Sequence, residues 1–396
     1  MKLAIVVIAY NRLDSLKRLL DSLRNSYYDN NLVDLIISID KSDTSIIEQY
    51  AYSFSWNYGK KQVITHSENL GLRIHVLSIG ALFDGYDALV VLEDDITVSP
   101  NFLRFARCCV NFYNIDERIA GISLYNFPIN YHSRLPFHPA KSGYDVYFMN
   151  CAQSWGQVWM KHQWKAFYDW YKEHNEEFAD RDDLPSSIVH WPKSSWLKYH
   201  TRYCIEQNKY FVYPYYSLST NNGDAGTHNG KKNNLFQAEM MCFSQENYKL
   251  PLLDDKETAK YDGFFEPKFL ASYLGLNEYD LCVDILGLKP SCIYKRYVLT
   301  SKSLPFKLLK SFALTLHPLE LNIINAVYGN DVFLYDTFFQ EESTNTSDKL
   351  LYFESYYRNA MNMAFQLIGI RIIILSYLRI KGGTLKHILG SLLQKI

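Results

Sequence analysis

Three carboxylates stand side by side in Glu93-Asp94-Asp95, directly after the apolar run Ala88-Leu89-Val90-Val91-Leu92. Carboxylates a few ångströms apart push one another's pKa upward, so the group needs a positive charge beside it. A hard divalent cation with oxygen ligands would meet that need. The preceding run is branched and continuous, as in a strand buried on both faces, and it sets the acids at the strand's C-terminal end. In open α/β sheets ligands bind at that end. Taken alone, the three acids also read as a solvated acidic turn.

The elements that must position them alternate along the chain. Residues 2–9 read as a buried strand, and Asn11-Arg12-Leu13-Asp14 leads into a helix with Leu16, Leu19, Leu20 and Leu23 at helical spacing. Residues 33–39 form a second strand ending in Asp40, 45–53 a helix, and 62–65 a short third strand. Asn69-Leu70-Gly71 opens a helix over 73–83, the strand of the acids covers 86–92, and Pro100 starts a helix reaching Tyr113. Residues 119–124 are again strand-like. This rhythm predicts an α/β, Rossmann-like three-layer fold with a mostly parallel sheet, its nucleotide-binding half spanning residues 1–125.

Composition narrows the class. A chain of 396 residues, 48% hydrophobic, buries a large core. Aromatics make up 16%, which supplies stacking faces for sugars and bases as well as packing area. The formal net charge of −1 gives no bulk attraction to nucleic acid. Seven cysteines, with only Cys108-Cys109 close together, fit reduced thiols in the cytoplasm better than zinc or disulfides. Residues 3–9 are too short for a signal-peptide core, and no uncharged run reaches the ~20 residues of a spanning helix.

Val7-Ile8-Ala9-Tyr10-Asn11-Arg12, the strand ending at Asp40, and Val91-Leu92-Glu93-Asp94-Asp95 follow one another in a recognisable order. Ser154-Trp155-Gly156-Gln157-Val158-Trp159, Tyr213-Pro214 and Ser219-Thr220-Asn221-Asn222-Gly223 continue it, as far as Gly226-Thr227-His228. With these landmarks the chain resembles GT-A-fold glycosyltransferases, in particular N-acetylglucosaminyltransferase I and bacterial family-2-like enzymes of surface polysaccharide synthesis. The likeness covers residues 1–230. It implies a nucleotide held by the turn Ala9, Tyr10 and Arg12, with Asp40 accepting a hydrogen bond from uracil. It further implies Asp94 at the ribose, Glu93 orienting the site or touching the sugar, and Asp95 binding Mn2+ or Mg2+. His228, in a glycine- and lysine-bearing loop, becomes a second metal or diphosphate ligand. Arg73 and His75 join the donor site, and Trp155 lies near it while Trp159, Trp164 and Trp170 pack. For Arg73 and His75, a solvated helix face is the equal alternative.

The resemblance implies inverting transfer from a nucleoside-diphosphate donor, a UDP-sugar, to a saccharide or lipid-linked saccharide. Such a reaction wants a carboxylate base. Ser194-Ser195-Trp196 stands where the family has Asp-Asp-Trp, so the reading moves the base to Asp182 or Asp183 in a polar loop. The same serines support a second reading, a degenerate transferase-like subunit that binds sugar nucleotide or glycan without turnover. A sugar-nucleotide-making nucleotidyltransferase is disfavoured, because Ala9-Tyr10-Asn11-Arg12 is not its glycine-rich loop.

Residues 126–250 are assigned to the acceptor-binding half and 251–396 to a mostly helical C-terminal region. Residues 361–380 are strongly apolar apart from Arg371 and Arg379. Residues 381–396 hold Lys386 and Lys395 with Leu385, Ile388, Leu389, Leu392 and Leu393 at helical spacing. Such a tail either lies in a membrane interface, on the inner face of the cytoplasmic membrane, or packs on the protein itself or on a second subunit as a homo-oligomer.

Overall fold

The computed structural model describes residues 1–224, 233–291, 295–342, 358, 362 and 363. The chain begins β1 (Leu3–Ala9), α1 (Leu13–Arg24), β2 (Asp34–Ile39), α2 (Ile46–Ser53) and β3 (Lys61–Thr65). Next come α3 (Gly71–Ser78), a 3-10 turn, β4 (Ala88–Glu93), β5 (Ile96–Val98), α4 (Phe102–Tyr113) and β6 (Ile119–Ser123). β7 (Val146–Met149), β8 (Gln157–Met160), α5 (Lys161–Glu173), α6 (Ser186–Val189), α7 (Leu197–Glu206), β9 (Tyr210–Pro214) and β10 (Ser219–Asn221) complete the first 224 residues. Beyond them lie β11 (Lys260–Tyr261), α8 (Leu270–Leu274), β12 (Leu281–Asp284), β13 (Tyr297–Thr300), β14 (Phe306–Phe312), α9 (Glu320–Ile324) and β15 (Val332–Gln340).

Nine strands make one sheet in the order β11-β7-β9-β6-β8-β4-β1-β2-β3. β1 lies parallel to β2 on one side and to β4 on the other. The chain therefore builds outward from β1 to β3 and returns to β1's opposite flank. That reversal opens a crevice at the carboxyl ends of β1 and β4, where a doubly wound sheet binds ligands. Side chains alternate across the sheet. Leu16, Leu19 and Leu20 of α1 and Phe102 and Phe105 of α4 cover one face with Val7, Val90 and Leu92. Val76 of α3, Trp164 and Phe167 of α5 and Tyr199 of α7 cover the other with Ile8, Leu89 and Val91. The first three strands and the fourth fall where hydrophobic patterning predicts them. The expected helix over 73–83 is α3 followed by the 3-10 turn Ile79–Asp84.

β4 and β8 run antiparallel, Val91 opposite Gln157, so the start of β8 joins the crevice edge. β8, β7 and β9 all come from residues 126–250, and they extend the same sheet rather than a separate one. Cys108, Cys109, Cys151, Cys204 and Cys242 carry free thiols.

The expected helical C-terminal region is, over residues 281–340, a four-stranded sheet in the order β12-β13-β15-β14 with two short helices packed nearby. Lys307 and Lys310 three apart suit a helix as well as a strand, and seven residues cannot separate the two periods. The nine-residue β15, rich in aromatic and branched side chains, decides the matter by offering β14 a ladder. Tyr261 donates to Glu320 and Leu286 N–H to Glu266, tying this unit to the large sheet's edge. No helix among the described residues is long and apolar enough to cross a membrane. The apolar and basic segments of 361–396 lie outside the described residues apart from Asn362 and Met363.

Candidate functional site

The crevice gathers residues from three places. Strand register sets Ile8 beside Glu93, so the turn after β1 faces the acids that follow β4. Tyr10 N–H points to Asp94 Oδ2 at 3.5 Å, and the Tyr10 ring is left 38% exposed at the mouth. Arg12 reaches across with Nη1 2.9 Å from Asp95 Oδ2, while its Nη2 donates to Asp94 Oδ1. The positive charge that the acidic cluster needs is thus supplied from within the chain. Asp94 is buried, and burial raises its pKa to about 6 against the opposing pull of Arg12. Glu93 is pushed up to about 8, first by burial and then by Asp95 and Asp94; Arg12 and a hydrogen bond from Ser154 act the other way.

A folded-state pKa above that of a free carboxylate makes folding favour the protonated form, so Glu93 weakens the fold as pH rises from about 4.5 to 8. Glu93→Gln removes that dependence. In metal-free buffer the variant's melting temperature, relative to wild type, is expected to climb steadily from pH 5 to pH 8. A difference that stays constant over this range would show that Glu93 ionises normally.

Asp95 is held by its backbone: its carbonyl accepts from both the N–H and the side-chain amide of Asn222, at 2.9 and 3.0 Å. β10 pairs with β5 so that Asn221 lies opposite Ile96. Asp95 Oδ1 is buried without a hydrogen-bond partner, and so are Gln157 Oε1 and Asn221 Oδ1. A buried carboxylate oxygen left unpaired is costly, and a cation is one group that satisfies it. Asp95 therefore fits a divalent ion through Oδ1. Among the described residues no three His, Cys, Asp or Glu side chains are grouped to hold a metal, and His228 lies outside the described residues.

Other predicted site residues make contacts within the chain. Asp40, 4% exposed, accepts from the N–H groups of Lys41, Leu70 and Gly71 at 2.8 to 2.9 Å. It ties the end of β2 to the start of α3, and its own N–H donates to the Ala9 carbonyl. Asp40→Ala would leave three backbone donors without acceptors and is expected to lower stability by about 2 kcal/mol in urea unfolding. Unchanged stability with lost nucleotide binding would instead make Asp40 a ligand contact. Arg73 is anchored within the chain. Its guanidinium donates to Tyr171 Oη and to the carbonyls of Asn175 and Lys193, and it lies over the Tyr199 ring. His75 is buried against Ser38 at 2.7 Å, and burial lowers its pKa to about 4.

Asp183 is tied to Arg181 rather than to the acids. Arg181 holds Asp183 and also Glu206, the last residue of α7, just before β9 starts at the sheet edge opposite the acids. A polar loop beside a helix end explains them. Trp155, two residues before Gln157, is half-buried against Tyr125 and Phe236. Sequence reasoning used Ser154, Gln157 and Asn221 only as parts of landmark segments and gave their side chains no role. Only the pairing of β8 with β4 and of β10 with β5 places them here.

Residues 4–105, which include β1 and the acids, match the family model described as Glycosyl transferase family 2. Over this span the α/β fold resembles that of GT-A glycosyltransferases. Comparison with curated proteins returns no match. Among solved structures, S. aureus TarS 1-349 is similar at 12% identity and TM-score 0.36, over 55% of this chain and 60% of that one. GalNAc-T7, solved with UDP, GalNAc and Mn2+, is similar at 14% identity and TM-score 0.39, over 55% and 43%. The mannosyltransferase PcManGT of Pyrobaculum calidifontis, solved with GDP-Man and Mn2+, is similar at 11% and 0.33, over 54% and 56%. The chain thus matches less than two thirds of the length of each.

Proposed function

We propose that the protein is a metal-dependent glycosyltransferase. It moves a sugar from a nucleoside diphosphate, a UDP-sugar, to a saccharide or lipid-linked saccharide with inversion, in the synthesis of a bacterial surface polysaccharide. The observation that carries this reading is the Arg12-Asp94-Asp95 cluster at the switch point of the sheet, with Asp95 Oδ1 buried and unpartnered. A divalent cation at Asp95 would neutralise a departing diphosphate. The chain's own residues do the rest: Arg12 offers a planar fork that suits phosphate, and the exposed Tyr10 ring offers a face at the mouth. Trp155 borders the sugar side of the crevice, and Asn222 fixes the Asp95 backbone.

Release of UDP from a panel of UDP-sugars, with and without Mn2+, tests the reading. Mn2+-dependent release for one donor supports it. Tight Mn2+-dependent UDP binding without turnover on any donor or acceptor extract favours the degenerate binding subunit, which Ser194-Ser195 keeps in view.

A further inference from the structure

Arg12 stands where a metal ion would have to act. Its guanidinium bonds Asp95 Oδ2 and Asp94 Oδ1 together, and these two carboxylates are the side chain's hydrogen-bond partners. A guanidinium about 3 Å from Asp95 repels a divalent cation approaching Oδ1 of the same carboxylate. The side chain is 28% exposed and precedes α1, outside its helical residues, so it can turn without disturbing that helix. A diphosphate entering the crevice presents the same fork-matching oxygens as the two carboxylates, with full charge.

Resting on the donor-site reading above, we infer that Arg12 is an exchangeable counter-ion that couples cation binding to diphosphate binding. In the empty site it neutralises Asp94 and Asp95. When the nucleotide diphosphate enters, the guanidinium transfers to the phosphates and frees Asp95 for the cation. The cation and the nucleotide then bind cooperatively, and the coupling is reciprocal. The device also offsets the charge of Asp94 and Asp95 while no substrate is present, which a bare cluster could not do.

The test is Mn2+ binding, followed by electron paramagnetic resonance and calorimetry, to wild type, Arg12→Gln and Arg12→Lys, with and without saturating UDP. Mn2+ and UDP without protein serve as the blank. UDP is expected to strengthen Mn2+ binding in wild type about tenfold more than in Arg12→Gln, because Asp95 is already free in the variant. Mn2+ alone should bind Arg12→Gln more tightly than wild type, and Arg12→Lys, a point charge without the fork, should fall between. Thermal melting confirms that each variant is folded before it is titrated. Equal strengthening by UDP in wild type and Arg12→Gln overturns the exchange while leaving the donor site standing. If wild type binds neither Mn2+ nor UDP in any combination, the donor-site reading falls and the inference with it.

Discussion

Asp95→Ala is expected to lose metal-dependent turnover by ~10³-fold or more, equivalent to about 4 kcal/mol of transition-state stabilisation. Asp95 Oδ1 is the buried, unpartnered oxygen of the acidic cluster, so no neighbouring carboxylate oxygen stands ready in its place. The fold should survive. Arg12 keeps its contact with Asp94, and removing one of three clustered carboxylates relieves repulsion. The backbone contacts from Asn222 go to the Asp95 carbonyl and do not depend on the side chain. The measurement is UDP release with Mn2+, paired with a melting curve. An active, metal-dependent Asp95→Ala would return the acids to an ordinary turn. Loss of activity with a lower melting temperature would show that the carboxylate is structural.

Gly156→Ala is expected to lower stability by about 3 kcal/mol, with the thermal midpoint falling by several degrees. Gly156 has φ +94, in the region that side chains disfavour. A Cβ there would lie 2.7 Å from Ser219 Oγ and 3.2 Å from Leu124 Cβ. Both neighbours are buried, and Ser219 Oγ is committed to the Trp155 carbonyl. The Gly156 carbonyl accepts from Leu124 N–H, so this one residue joins the ends of β6 and β8 to β10. The substitution should therefore also disturb Trp155 and the β10 wall of the crevice. Gly275→Ala is the control, since Gly275 has φ +70 but nothing within 4 Å of an added Cβ. The excess loss at Gly156 measures the close approach itself. If the two variants melt together, the contact with Ser219 relaxes freely.

The amino-terminal half of the large sheet was legible because its central strands are largely apolar and its helices α1 and α4 are amphipathic. Val33 to Ile39 and Ala88 to Leu92 leave little choice of state or of sheet position. Residues 281–340 were not legible. Their strands are short, mix lysine with leucine, and become strands only because a partner strand lies beside them. The same limit explains Asp182 and Asp183, where acidic residues in a loop carry no record of which edge of the sheet the loop visits. Arg73 shows it again. A cationic residue near a predicted donor site looks available until Tyr171, Asn175 and Lys193 arrive from elements about a hundred residues away.

By itself, the sequence determined that a buried strand would carry Glu93, Asp94 and Asp95 to the ligand-binding edge of a doubly wound sheet. It did so through local patterns, apolar continuity and the acids that end it, which need no knowledge of distant residues. Only the tertiary structure decided that Arg12, rather than an ion alone, balances those acids, and that Asp40 serves the start of α3. Only it left Asp95 Oδ1 without a partner. Those outcomes depend on strand order, on which ends meet, and on which hydrogen-bonding groups have already been taken up by neighbours. Long-range pairing sets all three, and no local spacing encodes them.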